Sequence, residues 1–145
     1  MTYRKLSSLA TKSSLLIMGL SLSSASSAKE LAVGVINYWH RPIIDVSVAD
    51  QTLHGAFDST DVSAGGGSLE CCLVVKPQST IDVQWTLDGK PGQESNGKVM
   101  HARARLGDIA QGATVLGVHI YPDGTVQLET LDDLPMPREV KRETK

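Results

Sequence analysis

Cysteine is scarce and oddly placed in this chain: there are two, Cys71 and Cys72, and they are chain neighbours. With no third cysteine, a disulfide framework joining distant segments is excluded, and the spacing is neither the CxxC of redox proteins nor that of a metal centre. Catalytic signatures are missing as well. There is no GxSxG nucleophile elbow and no HExxH. The four histidines, His40, His54, His101 and His119, are scattered without metal-ligand spacing. Asp132 and Asp133 are adjacent but lie outside any strand pattern, whereas an acid/base pair needs rigid, opposed placement. Gly92 to Lys98 matches GxxxxGK, yet the next residue is Val99 where a magnesium-binding hydroxyl belongs. These absences argue against an enzyme and leave no cofactor or metal to expect.

Long apolar runs are also missing. The longest candidate, Leu15 to Leu22, is too short to span a bilayer. It follows a start containing Arg4, Lys5 and Lys12 and precedes the small residues Ser26-Ser27-Ala28. That is the layout of a secretory signal peptide over 1–28, cut near Ala28, and it predicts export to the periplasm. No cysteine follows closely enough to carry a lipid. The segment holds three of the 14 basic residues and none of the 16 acidic ones, so residues 29–145 carry 11 basic against 16 acidic groups, a net charge of −5. Such a chain is poorly suited to nucleic acid and better suited to a basic protein surface.

What is present reads as strands. Thr80 to Leu87 places Ile81, Val83, Trp85 and Leu87 on one face and Asp82, Gln84 and Thr86 on the other, the period of two that marks a half-buried strand. Leu31–Trp39, Ile43–Val48, Leu69–Val75 and Lys98–Leu106 are further runs, the last with helix-favouring Ala and Arg. Val115–Tyr121 and Thr125–Leu131 flank Pro122-Asp123-Gly124, a hairpin signature. Seven such runs predict a single all-β domain over 29–131, an antiparallel β-sandwich. The polar, proline-containing segment 132–145 is expected to be disordered or to lie loosely on the surface.

Aromatic residues are only 4% of the chain, so the pair Tyr38-Trp39, followed by His40-Arg41-Pro42, stands out. Tyr, Trp and Arg anchor protein interfaces. Packing is the competing role for Tyr38, while the Trp39–Arg41 turn favours contact with a partner. Trp85 reads as core. For Cys71 and Cys72 two arrangements stay open. Neighbours on an ordinary strand point to opposite faces, so either a strained turn joins them in a small disulfide ring, or the thiols are apart. The glycines Gly65, Gly66 and Gly67 supply backbone freedom four residues upstream of Cys71.

Taken in order, Asn37-Tyr38, Arg41-Pro42-Ile43, the Gly65–Gly67 run with Ser68, Cys71-Cys72, Trp85 and Val118-His119-Ile120-Tyr121-Pro122-Asp123-Gly124 resemble a family of small, exported proteobacterial proteins of uncharacterised domain type. The resemblance spans about residues 31–130. Many members look like lipoproteins; this chain lacks the lipid-bearing cysteine. Some members act as periplasmic immunity proteins against phospholipase effectors of the type VI secretion system. The resemblance therefore implies a non-enzymatic protein that binds and blocks a cognate lipase. Its motif residues, here Asn37, Tyr38, Arg41, Pro42, Gly66, Cys71, Cys72, Trp85, His119, Pro122 and Asp123, serve fold or function. Partner contacts are expected on loops, with Tyr38, Trp39, His40, Arg41, Asp58 and Asp61 as candidates. The alternative is a ligand-binding or envelope-structural sandwich without a toxin partner. An enzyme would call for a pocket holding His119, Asp123 and a neighbouring carboxylate.

Overall fold

A computed structural model of the chain describes residues 27–60 and 69–138. The signal-peptide reading, Asp61, the glycine run with Gly66, and residues 139–145 lie outside them. Nine strands form: β1 (Lys29–Asn37), β2 (Ile43–Val48), β3 (Gln51–Thr52), β4 (Ala56–Phe57), β5 (Glu70–Val75), β6 (Thr80–Leu87), β7 (Val99–Arg105), β8 (Val115–Ile120) and β9 (Val126–Leu131). They make two sheets. One runs β5-β1-β8-β9; the other runs β3-β2-β6-β7, with β4 also pairing β2. The chain crosses between sheets after β1, β4, β5 and β7, so neither sheet can form from a contiguous stretch. The result is the all-β sandwich. Among the described residues no helix is long and apolar enough to cross a membrane.

Among the described strands, pairing is antiparallel except between β1 and β8, which run parallel, with Ala32 opposite Val115 and Asn37 opposite Ile120. Both are central strands, and β8 is buried along its whole length. Strands covered on both faces read as unbroken apolar runs rather than as alternation, which is how LAVGVIN and VLGVHI read.

The core lies between the sheets. Leu31, Val33 and Val35 of β1 and Leu116, Val118 and Ile120 of β8 face Ile43, Val46 and Val48 of β2 and Ile81, Val83, Trp85 and Leu87 of β6. The expected face of β6 is thus the buried one. β7 is a strand: Met100, Ala102 and Ala104 turn inward, while His101 and Arg103 reach outward to Asp82 across the β6–β7 pair at 3.3 and 3.2 Å. That cross-strand pairing accounts for helix-favouring residues in an extended segment. The GxxxxGK-like stretch is the β6–β7 hairpin loop. Gly97 N–H donates to the Leu87 carbonyl and Leu87 N–H to the Lys98 carbonyl, so Lys98 leads into a strand and not into the helix that a phosphate loop requires.

The outer face of the β5-β1-β8-β9 sheet is covered by the chain's own C-terminal segment. Gly34 and Gly117 are register partners, and together they leave a trough where Pro135 is buried. A Cβ on Gly34 would meet Pro135 Cγ at 2.8 Å, and one on Gly117 would meet Pro135 Cβ at 3.2 Å. Glycine in a strand often marks such a close approach. Residues 132–138 are therefore a docked strap rather than the loose segment expected, because two absent side chains make room for a proline ring.

Candidate functional site

Four segments meet at the end of the sandwich where β1 and β8 terminate: the 38–42 turn, residues 57–60, the 88–97 loop and the 121–125 hairpin. Asn37, the last residue of β1 and fully buried, ties two of them. Its Nδ2 donates to the carbonyls of Arg41 at 2.8 Å and Phe57 at 2.9 Å, and its Oδ1 accepts Trp39 N–H at 2.9 Å. The last bond is the Asx turn by which Asn reverses a chain. Asn37 also bridges Ser59, and its carbonyl accepts Thr60 N–H.

Arg41 ties the third segment. Its Nε donates to the Asp88 carbonyl at 2.6 Å and its NH1 to the Glu94 carbonyl at 2.7 Å, and Pro42 accepts Asp88 N–H through its carbonyl. A guanidinium offers several donors in a fixed fork, so one side chain fixes the path of the 88–97 loop. Gly89 has no side chain because Arg41 NH2 and Gln93 Oε1 occupy the place of its Cβ. Asn37, Arg41 and Pro42 thus hold the loops in position. Of the other proposed contact residues, His40 and Asp58 are exposed and Trp39 is half-buried against the core. Tyr38 is only 5% exposed; it is covered by the C-terminal strap, whose Arg138 N–H donates to its hydroxyl, and so it leaves the contact set.

Tyr38 belongs to a second cluster, on the outer sheet face. Its hydroxyl lies 3.0 Å from His119 Nδ1 and accepts Arg138 N–H at 2.7 Å. His119 Nε2 lies 2.6 Å from Glu129 Oε1, while Glu129 Oε2 accepts from Arg138 NH2 at 2.5 Å. Arg138 NH1 reaches Gln127 at 2.7 Å, and the Tyr38 ring stacks on Tyr121 with centroids 4.6 Å apart. Burial pushes the His119 pKa down, only partly offset by its bond to Glu129. A neutral ring that donates Nε2–H to the carboxylate must accept at Nδ1, so the Tyr38 hydroxyl donates to it, and each of these protons has a partner. Burial pushes the Tyr38 hydroxyl up. Burial also acts to raise Glu129, but the bonds from Arg138 and His119 outweigh it and hold that carboxyl below its usual range.

Carboxylate, imidazole and hydroxyl in line is the order that activates a nucleophile. Here His119 has no exposure and the hydroxyl oxygen already accepts a strap amide, so the cluster's work is fastening residues 132–138 to the sheet. Asp123 serves the hairpin: Thr125 donates to Oδ1 through its hydroxyl at 2.6 Å and its N–H at 2.9 Å, and these bonds lower the Asp123 pKa. Pro122 and Asp123 are exposed beside it. His119 and Asp123 therefore play separate parts. Sequence reasoning missed Glu129 and Arg138. The mid-strand Gly34 and Gly117 were the available signal that something lay across that face.

Cys71 and Cys72 are bonded to each other across a cis peptide, with Cα atoms 3.0 Å apart. Of the two arrangements left open, the structure takes the small ring. It sits on the edge strand β5, where the β1–β5 register slips between Leu31 and Val33. Comparison with protein-family models, curated proteins and solved structures finds no match for this chain.

Proposed function

We propose that the chain is a periplasmic immunity protein that binds a lipase effector of the type VI secretion system and blocks access to its active site. The reading rests on the ordered motif from Asn37 to Gly124, the export signal expected over 1–28 and the net negative charge of residues 29–145. The observation that carries it is the loop rim at the end of the sandwich. Three of its segments are tied to one another through Asn37 and Arg41. Loops held in place before contact lose little conformational freedom on binding, and that favours tight association. Trp39, His40 and Asp58 are the contact residues on this rim.

The motif residues and the contact residues divide cleanly in this reading. Asn37, Arg41, Pro42, Trp85 and His119 hold the scaffold, and exposed positions between them set which toxin is recognised. The test is periplasmic co-expression with a lipase encoded beside the gene. Protection and a complex on a sizing column are expected, with both lost on Asp58→Arg combined with Trp39→Ala. Continued killing by the lipase, with no complex formed, would sink the proposal.

A further inference from the structure

The cysteine pair has surroundings that the loop rim does not use. In a regular strand Cys71 and Cys72 would face opposite sides. At the bulge opposite Leu31–Val33 both sulfurs instead share a side, and Glu30 of β1 reaches the same point. The two sulfurs and a Glu30 carboxylate oxygen all lie within 4.8 Å of one another. Bulges recur next to sites of chemistry because they re-aim side chains. The site is accessible: β5 is an edge strand, Glu30 and Cys71 are exposed, and Cys72 is half-buried. Among the described residues Glu30 enters no ion pair, so its carboxylate is free to take a ligand.

We propose that Cys71, Cys72 and Glu30, once the disulfide is reduced, form a binding site for a thiophilic divalent cation of the zinc and cadmium type. Two thiolates select a soft or borderline ion, and the carboxylate favours a divalent one. Once the S–S bond is broken the two sulfurs must part to roughly 3.7 Å, the separation that bonds of about 2.3 Å to a shared tetrahedral cation require. Three protein donors leave a fourth tetrahedral position open to water or to an incoming ligand. The disulfide is the closed form. A dithiol opens it by exchange: one thiolate attacks a cysteine sulfur, the S–S bond breaks, and a second attack releases the reductant as its own disulfide. Two electrons reach the protein, each sulfur gains a proton, and cation binding releases both protons. The site is thus gated by the redox state of the pair and is independent of any toxin partner.

Cadmium titration of the intact chain tests this. The protein is reduced with a phosphine, freed of it under argon, and titrated with Cd²⁺ beside the untreated disulfide form. One equivalent should bind to the reduced form, with a thiolate-to-cadmium charge-transfer band and two protons released. The disulfide form should show none of these. Glu30→Gln keeps both thiols and should weaken binding at least about tenfold, while Cys72→Ser should remove most of the band. Absence of binding to the reduced chain, equal binding to the disulfide form, or undiminished affinity in Glu30→Gln would each overturn the assignment.

Discussion

Asn37 is the residue on which the end of the sandwich depends most directly, and replacing it tests that dependence. Asn37→Ala removes two donors and an acceptor at once. The Phe57 carbonyl then sits unpaired in a buried place, and the Arg41 carbonyl and Trp39 N–H lose partners in partly buried ones. A buried unsatisfied group costs about 1–3 kcal/mol, and a bond whose ends can rehydrate contributes about 1 kcal/mol. The sum is about 3–5 kcal/mol, a large share of the 5–15 kcal/mol that typically holds a domain together.

Asn37→Asp sharpens the test. It is nearly the same shape and keeps the acceptor for Trp39 N–H, so on packing alone it should be the milder change. The structure implies the reverse. The oxygen replacing Nδ2 would face the carbonyls of Arg41 and Phe57 at 2.8 and 2.9 Å, and a carboxylate with no exposure and carbonyl neighbours is strongly disfavoured. Urea unfolding followed by the fluorescence of Trp39 and Trp85 gives both midpoints. The expected order of stability is wild type, then Asn37→Ala, then Asn37→Asp at neutral pH, with the aspartate variant recovering in part as its carboxyl is protonated. An Asn37→Asp protein as stable as wild type would refute the assigned amide orientation and the hub role built on it.

Stability should depend on pH through His119. Its folded-state pKa lies below the ordinary 6.5, so its contribution is complete above about pH 6.5 and is lost as pH falls through the interval down to the depressed value. His119→Gln should flatten that slope in unfolding free energies measured across pH 5–8, and an unchanged slope would remove His119 as its source. Gly34→Ala should loosen the strap and speed proteolytic cleavage within 132–138, and Pro135→Ala in the same chain should recover part of the loss; purely additive effects in this double-mutant cycle would contradict the trough. Gly89→Ala puts a Cβ 2.5 Å from Arg41 NH2 and closer still to Gln93 Oε1; Gln93 can swing aside, so the expected cost is the strain on Arg41, held by the Asp88 and Glu94 carbonyls, about 1 kcal/mol or less in urea unfolding.

The parts of this structure that announced themselves in the chain were those governed by local rules. The alternation in Thr80–Leu87 places Trp85 in the core without any knowledge of the partner sheet, and Pro122-Asp123-Gly124 reverses the chain by its own chemistry. β3 was not legible, because the turn leading into it uses Ala49 and Asp50 at φ of 48° and 64°, and nothing in Ala-Asp announces a tight hairpin in the way Asn-Gly does. β4, two residues long, has no period to read. The parallel β1–β8 pair depends on segments about 80 residues apart, and an apolar run shows burial on both faces without naming the neighbour. At the loop rim, Tyr38 and Arg41 drew notice for the right composition, but their direction is decided by distant groups: His119 and the strap for one, the Asp88 and Glu94 carbonyls for the other.

That division has a consequence for how the scaffold can vary. Asn37 and His119 are fully buried polar side chains, and each spends its hydrogen bonds outside its own strand: Asn37 on the 38–42 turn and the Phe57 carbonyl, His119 on Tyr38 and Glu129. A buried polar hub tolerates neither an apolar substitute, which strands its partners, nor a charged one, which lacks a counter-ion. The apolar core between the sheets is more forgiving, since similar volumes can exchange there. Selection for a fixed loop rim should therefore hold Asn37, and selection for a docked strap should hold His119, while His40, Asp58 and the exposed faces of the 88–97 loop stay open to change. Under the proposed immunity role, exchanging His40, Asp58 and the exposed 88–97 positions for the corresponding ones of a protein with a different toxin should transfer specificity and change the unfolding free energy by no more than about 1 kcal/mol, the range of surface substitutions. Loss of folding on that exchange would show that contact and scaffold are not separable in this rim.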